Sequence, residues 1–534
     1  MSTLTGTWTL LRLILRRDRL LMPLWVVFLG LVPLAYAPSF RDLFPTDAAR
    51  AQYAAAGANN AGFVALYGRL DGSSLGELVA WRAGFVPVMI ALISLLVVIR
   101  HTRVEEETGR RELVGSTVVG RHAGLAAALI ATLAANLLVA VVLALGTSGE
   151  GLPVAGSWAF GLEFAAAGWA FAGVGAVAAQ LTRGAGGARG IAIGVLGAAY
   201  VLRVVGDLSG MGGGGLSWLT WLSPIGWAQR LHPYSGDQWW VLALPAACTS
   251  ALAVLAVALS GRRDVGGGLL PERTGPATAA PSLRSPSALA WRLHRGLLAG
   301  WIAGFLALGV VFGGVAKSTG DLLDENPNLQ QVFARLGGKA AIVDSYFAAV
   351  MGILGLVAAG YAIQATMRLR AEETSLRAEP LLTTGVGRLR WAGSHLVFSV
   401  LGPALALAVG GLAAGLTHGL NTGDLGQVPR VWAAALAQLP AVWVLAAVAV
   451  ALVGLVPRLA PAAWGALAAC LLLGLVGAAL QLSHWLLDVS PFTHIPRLPG
   501  GTVRTAPLLW LVALAVALGV AGLVGLRRRD IPVG

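Results

Sequence analysis

The chain has 534 residues, of which 57% are hydrophobic and 12% charged, and its mean hydropathy is +0.75. So little polar surface cannot clothe a water-soluble fold, so a bilayer is the solvent for most of the chain and a soluble enzyme or binding module is excluded. The net charge of +13 would suggest nucleic acid on a soluble protein; on a membrane chain it is a topology signal, to be judged by position relative to the spans.

In chain order, Arg16, Arg17 and Arg19 precede an apolar stretch ending Ala35-Tyr36-Ala37, a pattern shared with secretory signal peptides. Pro38 follows the would-be cleavage point, and Leu20 to Ala37 is long enough to cross a bilayer, so we read an uncleaved first span. Apolar runs of spanning length lie near 20–37, 79–99, 123–147, 156–180, 187–206 and 239–260, and again near 297–316, 346–367, 393–416, 431–456, 461–483 and 507–526. The fold class is therefore an all-α polytopic membrane protein of about twelve spans in two tandem six-helix halves, 1–260 and 289–534. Residues 261–288, rich in Gly, Pro and Ser, read as a flexible linker without visible chemistry.

The stretches after the first span of each half, 38–78 and 317–345, are polar with apolar islands (FVALYGRL, LQQVFARL) and predict short helices at the membrane surface. Those before the last span, 207–238 and 484–506, are broken by Gly and Pro yet rich in Trp, which suits a re-entrant segment or an interfacial Trp belt. Cys248 and Cys470 sit in apolar runs at unmatched places, as structural thiols do, and no metal-ligand cluster is visible. With both termini cytoplasmic, about 26 of the 38 Lys and Arg fall on the inner side, which fixes the expected orientation in a bacterial plasma membrane.

The second and third spans of each half are joined by one charged segment that occurs twice. RVEEETGRRELVGSTVVGR (103–121) returns 267 residues later, half the chain length, as RAEETSLRAEPLLTTGVGR (370–388), with nine ungapped identities where chance gives about one or two. The identities are Arg103/Arg370, Glu105/Glu372, Glu106/Glu373, Arg110/Arg377, Glu112/Glu379, Thr117/Thr384, Val119/Val386, Gly120/Gly387 and Arg121/Arg388. The same offset carries Ser223-Pro224 onto Ser490-Pro491 and Arg230 onto Arg497, so the duplication runs well beyond this segment. Spacings of four from Glu106 to Arg110 and from Glu107 to Arg111 predict ion pairs along a short helix. A loop whose charges only set topology needs arginine alone, so the recurring glutamates argue for a docking element.

On these residues, with six spans per half, the basic amphipathic N-terminus, the EE-x(3)-R-x-E segment ending Gly-Arg and the broken element before each sixth span, the chain resembles a type-2 ABC transporter permease. LRRDRLLMPLW (15–25) and WRLHRGLLAGW (291–301) make it similar to the fused twelve-span actinobacterial exporters of polyketide antibiotics, the tetronasin-resistance type. That resemblance covers essentially the whole chain. It implies that 103–121 and 370–388 are coupling helices which fit grooves on a separate ATPase, present in two copies, that binds ATP and Mg. It also implies an amphiphilic small-molecule cargo. Glu107-Thr108-Gly109 becomes Thr374-Ser375-Leu376 and Leu113 becomes Pro380, so the two contacts are expected to be unequal.

No GxxxxGK[ST] loop occurs; Gly313 to Ser318 is a near miss with Ala316 where the second glycine belongs. Zinc and nucleophile-elbow motifs are lacking too, so the expectation is a transport subunit rather than an enzyme. Ionisable residues inside spans are functional candidates because burying charge in hydrocarbon is costly. Glu163 is the one clear span carboxylate, either in a packing hydrogen bond or on a substrate path; Arg203, four residues before Asp207, is the second candidate, against a snorkelling role at the interface. Gln180, Gln438 and His418 read as interhelical polar contacts or water-facing groups rather than ligands. The alternative function is a proton-coupled secondary multidrug transporter, which should carry several membrane acids; a polytopic enzyme should carry clustered His, Asp or Ser at the membrane face.

Overall fold

Hydrocarbon offers no partner to backbone N–H and C=O groups, so a chain this apolar must satisfy them within helices. The computed structural model describes residues 2–211, 213–270, 277–324, 338–476 and 483–530, and every regular element among them is helical. Eleven helices among the described residues are long and apolar enough to span, from Leu21–Leu43 to Thr505–Arg528, and Ala462–Gly474 is a shorter apolar helix. The fold is thus a polytopic bundle of about twelve spans. The expected run 461–483 and the polar stretch 317–345 extend onto 477–482 and 325–337, which lie outside the described residues.

The chain divides into two compact units, Met1–Thr274 and Gly275–Gly534. In the first, Val154–Leu181 is the central and most buried span. Its buried face is mostly small residues, and a Cβ added at Gly161 or Gly175 would strike the backbone of Ala140 or Leu95. Apolar side chains gain little by leaving lipid, so such close backbone approach is what holds these helices together. In the second unit the matched span is Gln427–Leu455, whose Gly454 meets Gly522 of the last span backbone to backbone. The same pairings recur inside each unit: first span on third, second on fourth, fourth on last.

The units differ at their starts. The amphipathic helix Thr7–Arg17 is separated from the first span by a break at Asp18, whereas Pro286–Asp324 is one unbroken helix. The first span also runs past Ala37 to Leu43 through a tight turn at Val32–Ala35, where Pro33 cannot donate a backbone hydrogen bond. The polar stretch behind it folds into Asp47–Ala58, Ala61–Tyr67 and Leu75–Arg82, capped by Thr46, Asn60 and a reciprocal Ser74–Glu77 capping box.

Candidate functional site

The second span, Val86–Glu107, does not end in a plain loop. It loosens into a wide turn at Arg100–Val104, continues as Glu105–Glu107, reverses at Gly109 with φ +72°, and restarts as the short helix Arg110–Gly115. In the other unit Gly338–Thr374 is followed by Leu376 at φ +56° and the turn Glu379–Leu382. Leu376 matches Gly109, so both copies bend through the left-handed region at one position although only one has the glycine that does so without steric cost.

That bend moves the ion pairs away from the four-residue spacing expected on a continuous helix. Arg110 reaches Glu105 at 3.5 Å and Arg111 reaches Glu106 at 3.6 Å, in place of Glu106–Arg110 and Glu107–Arg111. Glu107 instead accepts from the backbone N–H of Ala185 at 3.0 Å, where the fifth span begins. Burial pulls the Arg111 guanidinium below its ordinary value, with Glu106 opposing and Arg263 adding to the shift.

Glu106 is the centre of the first copy. It is buried, accepts from Arg103 at 2.6 Å and from Arg263 at 2.8 and 2.9 Å, and Arg103 is fully buried. Arg103 spends its other donors on the carbonyls of Thr182, at 2.6 Å from Nε, and of Gly267, at 2.5 Å. A charge this deeply buried is tolerated because both carboxylate oxygens and all three guanidinium nitrogens find partners. In the second copy Glu373, fully buried, meets Arg370 at 3.3 Å and Arg529 at 2.5 Å, while Glu372 meets Arg368 at 2.9 Å and Arg377 at 3.4 Å.

Arg263 and Arg529 both follow the last span of their unit, so each elbow is clamped to that span. Arg121 and Arg388 reinforce the clamp. Arg121 donates to the carbonyls of Ser260 and Arg263 at 3.0 Å, and Arg388 to those of Arg527 at 3.4 Å and Arg529 at 2.7 Å, which are unpaired acceptors at helix C-termini. Burial, together with Arg121 and Arg111, holds His122 below its ordinary pKa, and its Nδ1 lies 2.9 Å from Ser260 Oγ. In the sequence Arg263 and Arg529 stand only among the inner-side topology charges, and 261–288 reads as a flexible linker. In the structure, residues 263–270 pack back on the elbow, with the N–H of Leu270 donating to Leu181 at 2.8 Å.

The first copy carries a further strap. Arg17 pairs with Glu105; buried Asp18 meets Arg100 at 2.9 Å and His101 at 2.6 Å; and the N–H groups of Gly120 and His122 donate to the carbonyls of Thr5 and Thr3 at 2.8 and 3.0 Å. Gly120 is required there, since a Cβ would collide with the Thr3 carbonyl, whereas Gly387 faces open space. The exposed side chains include Arg110, Glu112, Leu113 at 75% exposure and Val118 at 65% in the first copy, and Leu376, Arg377 and Pro380 in the second, where Glu379 is half-buried. Among the described residues, no hydrogen bond or ion pair engages the carboxylates of Glu112 and Glu379. The recurrence of Glu105 and Glu106 is therefore explained by internal pairing, and the docking argument narrows to the tip.

Of the two span candidates, Arg203 does not snorkel. It is fully buried, donates to the carbonyl of Val64 at 2.8 Å, stacks over Tyr200 and lies 3.7 Å from Asp207, so it closes the C-terminus of helix Ala61–Tyr67. Glu163 lines a small pocket between the central span and the segments 67–84 and 229–235.

A family profile described as "Multidrug efflux system permease Rv1217c, C-terminal domain" matches residues 283–527. The chain is also 45% identical, over 99% of its own length and 96% of the relative's, to a Mycobacterium tuberculosis (strain ATCC 25618 / H37Rv) protein named multidrug efflux system permease protein Rv1217c. With likeness of that extent, the chain belongs to the family of the multidrug efflux permease Rv1217c.

Proposed function

We propose that the chain is the membrane subunit of an ATP-driven exporter of hydrophobic and amphiphilic compounds, drugs and antibiotics among them, and that a separate ABC ATPase docks on its two elbows. The observation that carries this reading is the double clamp: in each unit a buried glutamate ties a short protruding helix to the last span, while its tip stays exposed. A push on the tip then reaches a span through ion pairs rather than through a slack loop. The elbows face the cytoplasm with both termini, one ATPase copy meets each, and ATP with Mg is bound and hydrolysed there. Closure of the ATPase pair tilts the spans and opens a path outward.

The test is co-purification with a candidate ABC ATPase co-expressed with the full chain. Glu112→Arg combined with Glu379→Arg should cut ATPase retention at least tenfold while membrane insertion and thermal unfolding stay as in the wild type. Undiminished retention by that double variant would remove the docking assignment.

A further inference from the structure

Two pockets in the first unit join at the end opposite the elbow. The wider, of about 260 Å³, is walled by Arg69, Asp71, Asp207, Thr220, Arg230 and His232, among others. The narrower, of about 40 Å³, shares Arg69, Asp71, Gln229 and His232 with it and reaches Glu163, some 13 Å along the central span from its start at Val154. At roughly 10–15 Å³ per water, the narrow pocket admits a group the size of a few waters and nothing bulkier.

Four carboxylates line these pockets, and three are occupied by the chain itself. Asp71 pairs with His232, Glu77 caps the N–H of Ser74 at 2.8 Å, and Asp207 accepts from Thr220 at 3.0 Å. Glu163, only 3% exposed, has no hydrogen bond or ion pair from any described residue. Beside it, Gln229 gives its amide N–H groups to the carbonyls of Tyr67 at 3.2 Å and Gly84 at 2.9 Å, which leaves its Oε1 buried without a donor. Glu163 and Gln229, each with an acceptor that no described donor meets, both line the narrow pocket, and no unmet buried donor lines it with them. Burying such groups is costly unless a ligand supplies the donors.

The geometry points to a binding site for a primary ammonium group, with Glu163 and Gln229 accepting its N–H bonds and the wider pocket holding the rest of the molecule. An ammonium carries three donors and the charge that matches Glu163. A carboxylate ligand would be repelled, and a quaternary ammonium has no N–H to give. In the wider pocket Asp71 and Asp207 stand among Arg69 and Arg230, so a cation entering it meets carboxylates as well as guanidinium groups. The same ammonium chemistry is found on amine-bearing amphiphiles and on phosphatidylethanolamine. This inference extends the export reading by naming a chemical preference at Glu163, and its test measures binding, so its failure would leave that reading standing.

The test uses the full chain in phosphatidylcholine nanodiscs. Butylammonium should bind at least tenfold more tightly than butanol or tetramethylammonium, and E163Q should remove that preference. On the wild type, butylammonium should protect Glu163 from esterification by a diazo reagent, which does not consume the amine, read by mass spectrometry; this needs no variant to fold. Equal binding of the three probes, a preference that survives in E163Q, or unprotected Glu163 would each overturn the site. If phosphatidylethanolamine in the nanodisc weakens butylammonium binding, the occupant is a lipid headgroup; if binding is unchanged, the site serves amphiphilic cargo.

Discussion

Glu106 and Glu373 recur because of what surrounds them inside each unit, and Glu112 and Glu379 recur without such company. That difference sets opposite expectations for mutants. Glu106→Ala would strand Arg103, fully buried, and Arg263 without their shared anion, and breaking a buried pair costs about 3–5 kcal/mol. Glu112→Ala removes a surface group, for which changes stay within about 0.5 kcal/mol. Thermal unfolding of the two variants should therefore separate clearly, with Glu106→Ala lowering the midpoint and Glu112→Ala leaving it. Equal midpoints would mean that the buried network contributes nothing net. The recurring glutamates were legible in the sequence, but their partners were not, since Arg263 lies 157 positions beyond Glu106 and 156 separate Arg529 from Glu373. The one local signal was Gly109: a glycine among charged residues marks a break that a four-residue ion-pair count passes over.

Among the elements, the long apolar spans were readable because hydrocarbon thickness imposes their length. Their internal breaks were less so. The turn at Val32–Ala35 and the unbroken Pro286–Asp324 depend on packing and on a proline whose effect varies with context. The strap of residues 3–18 across the first elbow was not legible, because its contacts at Gly120 and His122 are made by backbone carbonyls of Thr5 and Thr3, which leave no side-chain signal. Its dependence on Gly120 gives a prediction for the pair of matched glycines. Gly120→Ala should push the Thr3 carbonyl aside and raise amide exchange and protease cutting in residues 3–18, whereas Gly387→Ala, with open space around it, should change neither. If both variants left exchange over 3–18 untouched, backbone contact between Gly120 and the N-terminal segment would not be what holds the strap.

At the scale of the whole molecule, a duplicated chain offers two elbows that are not copies in their details. The first tip follows a glycine bend, exposes Leu113 and rests on an elbow strapped by the N-terminal segment. The second has Leu376 in the left-handed region and Pro380 where Leu113 stands. Binding is strongest where the surface is already held in its bound shape and presents an apolar anchor, because less ordering is lost on contact. The first elbow meets both conditions better. Glu112→Arg alone should thus weaken ATPase retention by about tenfold and Glu379→Arg alone by about threefold. The double variant should fall further than either, since losing both contacts also removes the gain from two-point attachment. Titrating co-purified ATPase against each variant checks the order. A larger loss from Glu379→Arg would place the main contact on the second elbow, and with it the direction in which force enters the spans.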